Sequence, residues 1–198
     1  MTQLALDGAD GAPPRLEDLA GLLAGPAQGV LRGPAARVSV VVTDAWRVDA
    51  LRAELAALDL GTSTTLALDS AAVAVRTAFS ERLHPLAAAW QRGGGKRAPA
   101  GLALTGGALR LWCLAAGRAT DAGYLLRLGA HDEPVWAPVG SALAAAGVAA
   151  VFVGARAEGP AYRVTGRRRL ARLAELVGQP PPGVPGDAWP AGPRPGWH

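Results

Sequence analysis

One order of elements is stated twice along this chain. Apolar spacing over residues 16–92 and again over 104–178 reads helix, strand, strand, helix, strand, strand, helix. A glycine-rich linker at 93–103, with the run GGGKR at its start, separates the two stretches. A chain that repeats itself at this length folds as two like units, each burying an apolar face that it cannot bury alone.

The first unit opens with LEDLAGLLA, where Leu16, Leu19, Leu22 and Leu23 share one side of a short helix. GVLRGPAARVSVVVTD follows as a hairpin turning at Gly33-Pro34, its second strand rich in valine. Asp44 is placed to cap AWRVDALRAELAALDL, in which Trp46, Leu51, Leu55 and Leu58 keep helical spacing. Strands are expected at 62–69 and 72–78, and Ser80 caps a helix, ERLHPLAAAW, that tolerates Pro85 near its first turn. In the second unit Thr105 and Gly106 precede GALRLWCLAAG, and a hairpin turns near 120–123 into YLLRLGA. EPVWAPVGSALAAAG reads as a helix that Pro138 delays or kinks. VAAVFVGA pairs with PAYRVTG, and RRRLARLAELVG closes the unit.

The ends differ from the repeats. Residues 1–15 form a polar arm. The tail, 179–198, carries proline too often for a helix or a central strand and is expected to be extended and mostly mobile. Trp189 and Trp197 are its exceptions, either of which docks on the body or on a partner.

Composition narrows the function class. With 50% hydrophobic residues and a net charge of +4, the chain is not a disordered protein. No apolar run reaches the roughly 18 residues that cross a bilayer, so no membrane association is expected. The opening MTQLALDGADGAPPRLEDL shows no export signal, which points to the cytoplasm. Cys113 is the only cysteine, which excludes a disulfide framework and a cysteine-rich metal site; it reads as a small buried hydrophobe. Every basic residue except Lys96 is arginine, and the isoelectric point is about 10.2. That basicity agrees with a nucleic-acid partner, although GC-rich codon usage produces the same arginine bias. His84, His131 and His198 lack metal-ligand spacing, GGGKR lacks the strand and spacing of a phosphate-binding loop, and no catalytic triad is visible.

The string LAGLLAG at 19–25, with CLAAG at 113–117 in the matching place of the second unit, resembles the motif of the LAGLIDADG family of homing endonucleases and its non-cleaving relatives. The stretch RLWCLAAGRATDAGYLLRL looks most like the degenerate repeat of WhiA-type sporulation regulators, although the helix-turn-helix of those regulators is not evident. The resemblance covers about residues 16–178. It implies an α+β fold: two pseudo-symmetric αββαββα LAGLIDADG-like repeats with a saddle-shaped antiparallel sheet, within one monomer acting as an intramolecular pseudo-dimer. It also implies that the two motif helices pack side by side, with Gly21, Ala24, Gly25, Ala116 and Gly117 permitting the close approach.

Family nucleases end each motif helix in an acid before glycine, and those carboxylates hold the divalent metals that cleave DNA. Ala24 and Ala116 stand at these places, and neither binds a metal or moves a proton. The resemblance therefore implies no catalytic residue, no metal, no cofactor and no nuclease activity. Its implied partner is double-stranded DNA in the saddle, bound by Arg32, Arg37, Thr64 and Arg76 of the first unit. The second unit supplies Arg127, Arg156, Tyr162, Arg163 and Thr165, and Arg167 and Arg168 start the last helix. Thr62, Ser63 and Thr77 lie on the same strands, and the face of Arg76 is uncertain by one residue. A DNA-binding regulator, nucleoid-associated in a bacterium, is the first reading; a module that docks a regulatory protein without touching DNA is the alternative.

Overall fold

In a computed structural model describing residues 13–67, 71–154 and 159–190, alternation of side chains builds two four-stranded antiparallel sheets. A 3₁₀ turn, Leu16–Leu19, runs into helix α1 (Ala20–Ala24). Strands β1 (Gln28–Arg32) and β2 (Ala35–Val42) then form the hairpin around Gly33-Pro34. Helix α2 (Ala45–Ala57) leads to β3 (Thr62–Leu66) and β4 (Val73–Thr77). A turn at Glu81–Leu83, capped by the Ser80 hydroxyl accepting from the Arg82 N–H, enters α3 (His84–Ala89). The first sheet has the order β1-β2-β4-β3.

The linker is no loose tether. Strands β5 (Gln91–Arg92) and β6 (Gly95–Lys96) pair across Gly93 and Gly94, both at positive φ, where glycine is at ease. The second unit follows with α4 (Gly106–Ala116), β7 (Gly117–Thr120), β8 (Gly123–Arg127) and α5 (Glu133–Ala145). It ends with β9 (Val151–Val153), β10 (Ala161–Val164) and α6 (Arg167–Val177). Its sheet has the matching order β7-β8-β10-β9. Helix α5 continues through Pro138, which removes one backbone donor without ending the helix. Three strands are shorter than apolar spacing suggests: β3 stops at Leu66, β8 at Arg127 and β9 covers only Val151–Val153.

The core lies between the sheets and the helices and is continuous across the two units. Leu19, Leu22, Leu23 and Ala24 of the first motif helix pack with Leu109, Trp112, Cys113 and Leu114 of α4. The helices meet closely because Gly21 has no side chain: a Cβ there would run into the Ala108 backbone carbonyl. A Cβ on Gly25 would sit 2.8 Å from the Trp112 ring. Gly117 is crowded instead by its own unit, against Tyr124 and the Cys113 backbone.

The described part of the tail is docked, which corrects the expectation of a mobile segment. Trp189 is buried, and its indole N–H donates to the Gly178 carbonyl at 2.9 Å. Arg110 stacks over the Trp189 ring at 5.4 Å, and the Tyr124 hydroxyl donates to the Ala188 carbonyl at 3.1 Å. Aromatic burial and two hydrogen bonds supply what the proline-rich backbone cannot. Trp197 lies outside the described residues.

Candidate nucleic-acid interface

Strand register decides which side chains leave the helices and face outward. In the first sheet Gln28 pairs with Ser39, Ser39 with Arg76, and Arg76 with Ser63, so one row of side chains crosses all four strands. Arg37 and Val41 lie two residues either side of Ser39 and share that face. The alternate residues Ala36, Val38, Val40 and Val42 are buried beneath. In the second sheet the equivalent row is Arg118, Leu125, Arg163 and Val151. Arg127, opposite Ala161, lies on the same face as Arg163.

The open face of each sheet thus carries three arginines on corresponding strands. They are Arg32, Arg37 and Arg76 on β1, β2 and β4, and Arg118, Arg127 and Arg163 on β7, β8 and β10. Arg76 donates to the Thr65 hydroxyl at 3.0 Å, across to the neighbouring strand on that face. The Nε atoms of Arg37 and Arg163 are shielded and, among the described residues, lack a hydrogen-bond partner. Arg118 and Thr65 escaped sequence reasoning. Thr65 is one step from Thr64 and Arg118 one step from Gly117, and only the register shows which parity faces outward.

Several expected contacts lie elsewhere. Tyr162 points to the helix side: it is buried, its hydroxyl donates to the Trp136 carbonyl at 2.7 Å, and its ring stands 5.7 Å edge-on from Phe152. Thr64 pairs with Val75, and Thr62 with Thr77, so both threonines take the helix-side parity of their edge strand. Thr77 is buried, and its hydroxyl accepts from the Val38 N–H at 3.0 Å. Thr165 is half-buried just beyond β10, its methyl beside Gly123. Arg167 and Arg168 are exposed in the first turn of α6, whose N-cap, Gly166, offers no side chain. Arg156 lies outside the described residues.

Helix α1 ends in Ala24 and helix α4 in Ala116. Ala24 is fully buried and Ala116 nearly so. The partial negative charge of unpaired carbonyls at these helix ends attracts cations, and each end has one. Arg47 of α2 donates to the carbonyls of Cys113 (3.2 Å), Leu114 (2.8 Å) and Gly117 (2.7 Å), while its Nε holds Asp44 at 2.7 Å. Lys96, from the linker hairpin, donates to the Gly25 carbonyl and to Asp132, each at 2.7 Å. Burial pulls the Lys96 ammonium below its ordinary pKa, and the Asp132 carboxylate opposes that shift. Gln28 also donates to Asp132, at 3.2 Å. Among the described residues no group of three or more His, Cys, Asp or Glu side chains could hold a metal ion.

Cys113 is fully buried. Burial pushes its thiol up to about 12, and the hydrogen bond with the Tyr124 hydroxyl only partly offsets that.

The arrangement has counterparts among solved structures. The structure of the homing endonuclease I-WcaI bound to its DNA recognition sequence superposes with a TM-score of 0.60 at 10% identity, over 86% of this chain and 84% of that one. The N-terminal LAGLIDADG domain of DUF199/WhiA superposes with a TM-score of 0.57 at 14% identity, over 87% of this chain and 88% of that one. No family model and no curated protein matches the chain by sequence. The protein therefore has a LAGLIDADG-like fold, built from two tandem sheet-and-helix units.

Proposed function

We propose that this protein binds duplex DNA through the open faces of its two sheets and does not cleave it. The observation that carries this reading is the matched set of three outward arginines on each sheet. Guanidinium groups on a sheet face reach phosphate oxygens, and pair in bidentate fashion with guanine in a major groove. The similarity to an endonuclease bound to its DNA supports the same use of the fold here.

The absence of cleavage rests on the helix ends. Two-metal hydrolysis needs anionic oxygens that hold divalent ions close to the scissile phosphate. Here alanines occupy those helix ends, and the carbonyls beside them are already held by Arg47 and Lys96, whose partners Asp44 and Asp132 are engaged in ion pairs. Regulation of transcription is the role that suits a binder without chemistry, and the likeness to the WhiA domain supports it.

Electrophoretic shifts with random and selected duplexes at two salt concentrations test the proposal. Binding with a steep salt slope is expected. Arg76→Ala or Arg163→Ala weakens it and flattens the slope by about one for each phosphate that no longer meets a guanidinium. No binding at low salt overturns DNA recognition; magnesium-dependent cleavage of any duplex overturns the non-cleaving assignment.

One feature favours the second reading, a protein-docking module. Val151 and Phe152 on edge strand β9 are 60% and 42% exposed, an apolar edge that suits a protein partner better than phosphate. Co-purification of a partner that Phe152→Glu releases, together with absent DNA binding, decides for that reading.

A further inference from the structure

The first hairpin ends in an arrangement that strand pairing alone does not require. Counting back from the Ser39–Arg76 pair along β2 to Ala36 brings the partner strand to Phe79. Yet Ala36 bridges Ser80, through backbone hydrogen bonds of 2.9 and 3.0 Å. One extra residue is therefore accommodated just past β4, a bulge of the kind that re-aims a side chain. The side chain at the bulge is Phe79. Its ring lies 3.7 Å from the guanidinium carbon of Arg32 and 4.8 Å from that of Arg37.

Arg32 and Arg37 are diagonal neighbours on the open face of the hairpin. Two like charges on one ring repel each other, and among the described residues neither has a carboxylate within ion-pair distance. The ring quadrupole attracts both cations, and the Arg37 Nε is shielded without a hydrogen-bond partner among the described residues. Such a pair lacks only a multivalent anion with oxygens to accept from both guanidinium groups.

We propose that Arg32, Phe79 and Arg37 form a phosphate clamp, in which Phe79 is a positioning residue that holds the two guanidinium groups ready for a backbone phosphate. The proposal rests on the duplex-DNA reading and deepens it: the tip of the first hairpin anchors the sugar–phosphate backbone. Preorganisation is what distinguishes the clamp from a pair of free surface arginines, because ordering two long side chains at the moment of binding costs affinity.

Two measurements separate the clamp from the reading on which it rests. In the first, the full chain is titrated with inorganic tripolyphosphate while the Arg32 and Arg37 Nε–Hε resonances are followed by NMR. Saturable shifts of both are expected, with affinity retained within about twofold in Phe79→Tyr, which keeps the ring, and lowered at least fivefold in Phe79→Leu, which keeps only apolar bulk. Absence of a saturable shift in the wild type, or equal affinity in Phe79→Leu, overturns the clamp. In the second, the same variants are tested on a duplex selected by the wild type. Phe79→Leu is expected to weaken binding several-fold with its salt slope unchanged, because no charge is removed, whereas Arg32→Ala lowers the slope by about one. A wild type that takes tripolyphosphate at the clamp but binds no duplex refutes the DNA reading and leaves the anion site standing.

Discussion

At the scale of single residues, glycine and alanine do the work that composition alone credits to codon bias. Gly21 is required by contact: any Cβ meets the Ala108 carbonyl, a backbone group that cannot move aside. Gly21→Ala is expected to destabilise the protein by about 1–3 kcal/mol through overpacking, measured by urea unfolding. Cys113 gives a second test. A thiol raised to about 12 when folded, against an ordinary 9.0, contributes stability that is fully present below pH 9 and is lost as pH climbs toward 12. Tyr124, raised by the same burial, acts in the same direction, whereas the lowered pKa of Lys96 acts oppositely and favours the fold as pH rises toward 10.5. The difference between wild type and Cys113→Ala isolates the thiol: between pH 9 and 10.5 the variant loses stability less steeply, and equal slopes refute the assignment. Gly21 sits in LAGLLAG, so its position along the chain is legible, whereas the Ala108 carbonyl it must avoid is 87 residues away and is not. Tyr162 was not placed correctly, since a tyrosine on a strand reads alike whether its hydroxyl meets solvent or a helix carbonyl.

At the scale of elements, almost every helix and strand was legible from periodicity, and what was not legible was which way each strand turned. Period-2 patterns with a polar residue at every position, such as TSTT, contain no record of parity. Pairing with Arg76 and Ala74 turns Ser63 and Thr65 outward and leaves Thr64 on the helix side. The glycine-rich linker shows the same limit: three glycines suggest a tether, but Lys96 converts them into a tight hairpin by reaching Gly25 and Asp132. Lys96→Met leaves the Asp132 carboxylate nearly buried and short of a cation, so about 3–5 kcal/mol should be lost. Asp132→Asn in that background should recover part of the loss, and a cycle in which the two changes add independently contradicts the pairing. The tail is tested similarly: Trp189→Ala removes a buried ring and a hydrogen bond, for about 3–5 kcal/mol. A melting temperature equal to that of wild type refutes docking of the tail.

At the scale of the whole molecule, two units that repeat one order are joined into one body by interactions that cross between them. Arg47 of the first unit caps the α4 helix of the second, and Glu54 of α2 holds Arg110 of α4 at 2.7 Å. Lys96 ties Gly25 of the first unit to Asp132 of the second. Unfolding is therefore expected to be a single cooperative transition, with circular dichroism and tryptophan fluorescence coinciding in urea, and residues 16–92 alone failing to fold. Two separate transitions refute that coupling. The same scale governs binding. The arginines that composition left scattered gather on the open faces of both sheets, six of them at matched strands, while the apolar edge of β9 interrupts the second sheet. The two faces are alike in charge and unlike in hydroxyl content, because Ser39, Ser63 and Thr65 have Leu125, Val151 and Val153 as their counterparts in the second sheet.

Patterns along the chain carry the duplication and the identity and order of nearly every helix and strand. These are local properties: periodicity, capping and motif position are written along the chain. The folded packing sets the parity of the strands, the docking of Trp189, and the cations at the C-terminal ends of α1 and α4. It alone showed the bulge that brings Phe79 against Arg32 and Arg37. Each of these depends on a partner tens of residues away, and no local pattern records the distance at which a side chain finds it.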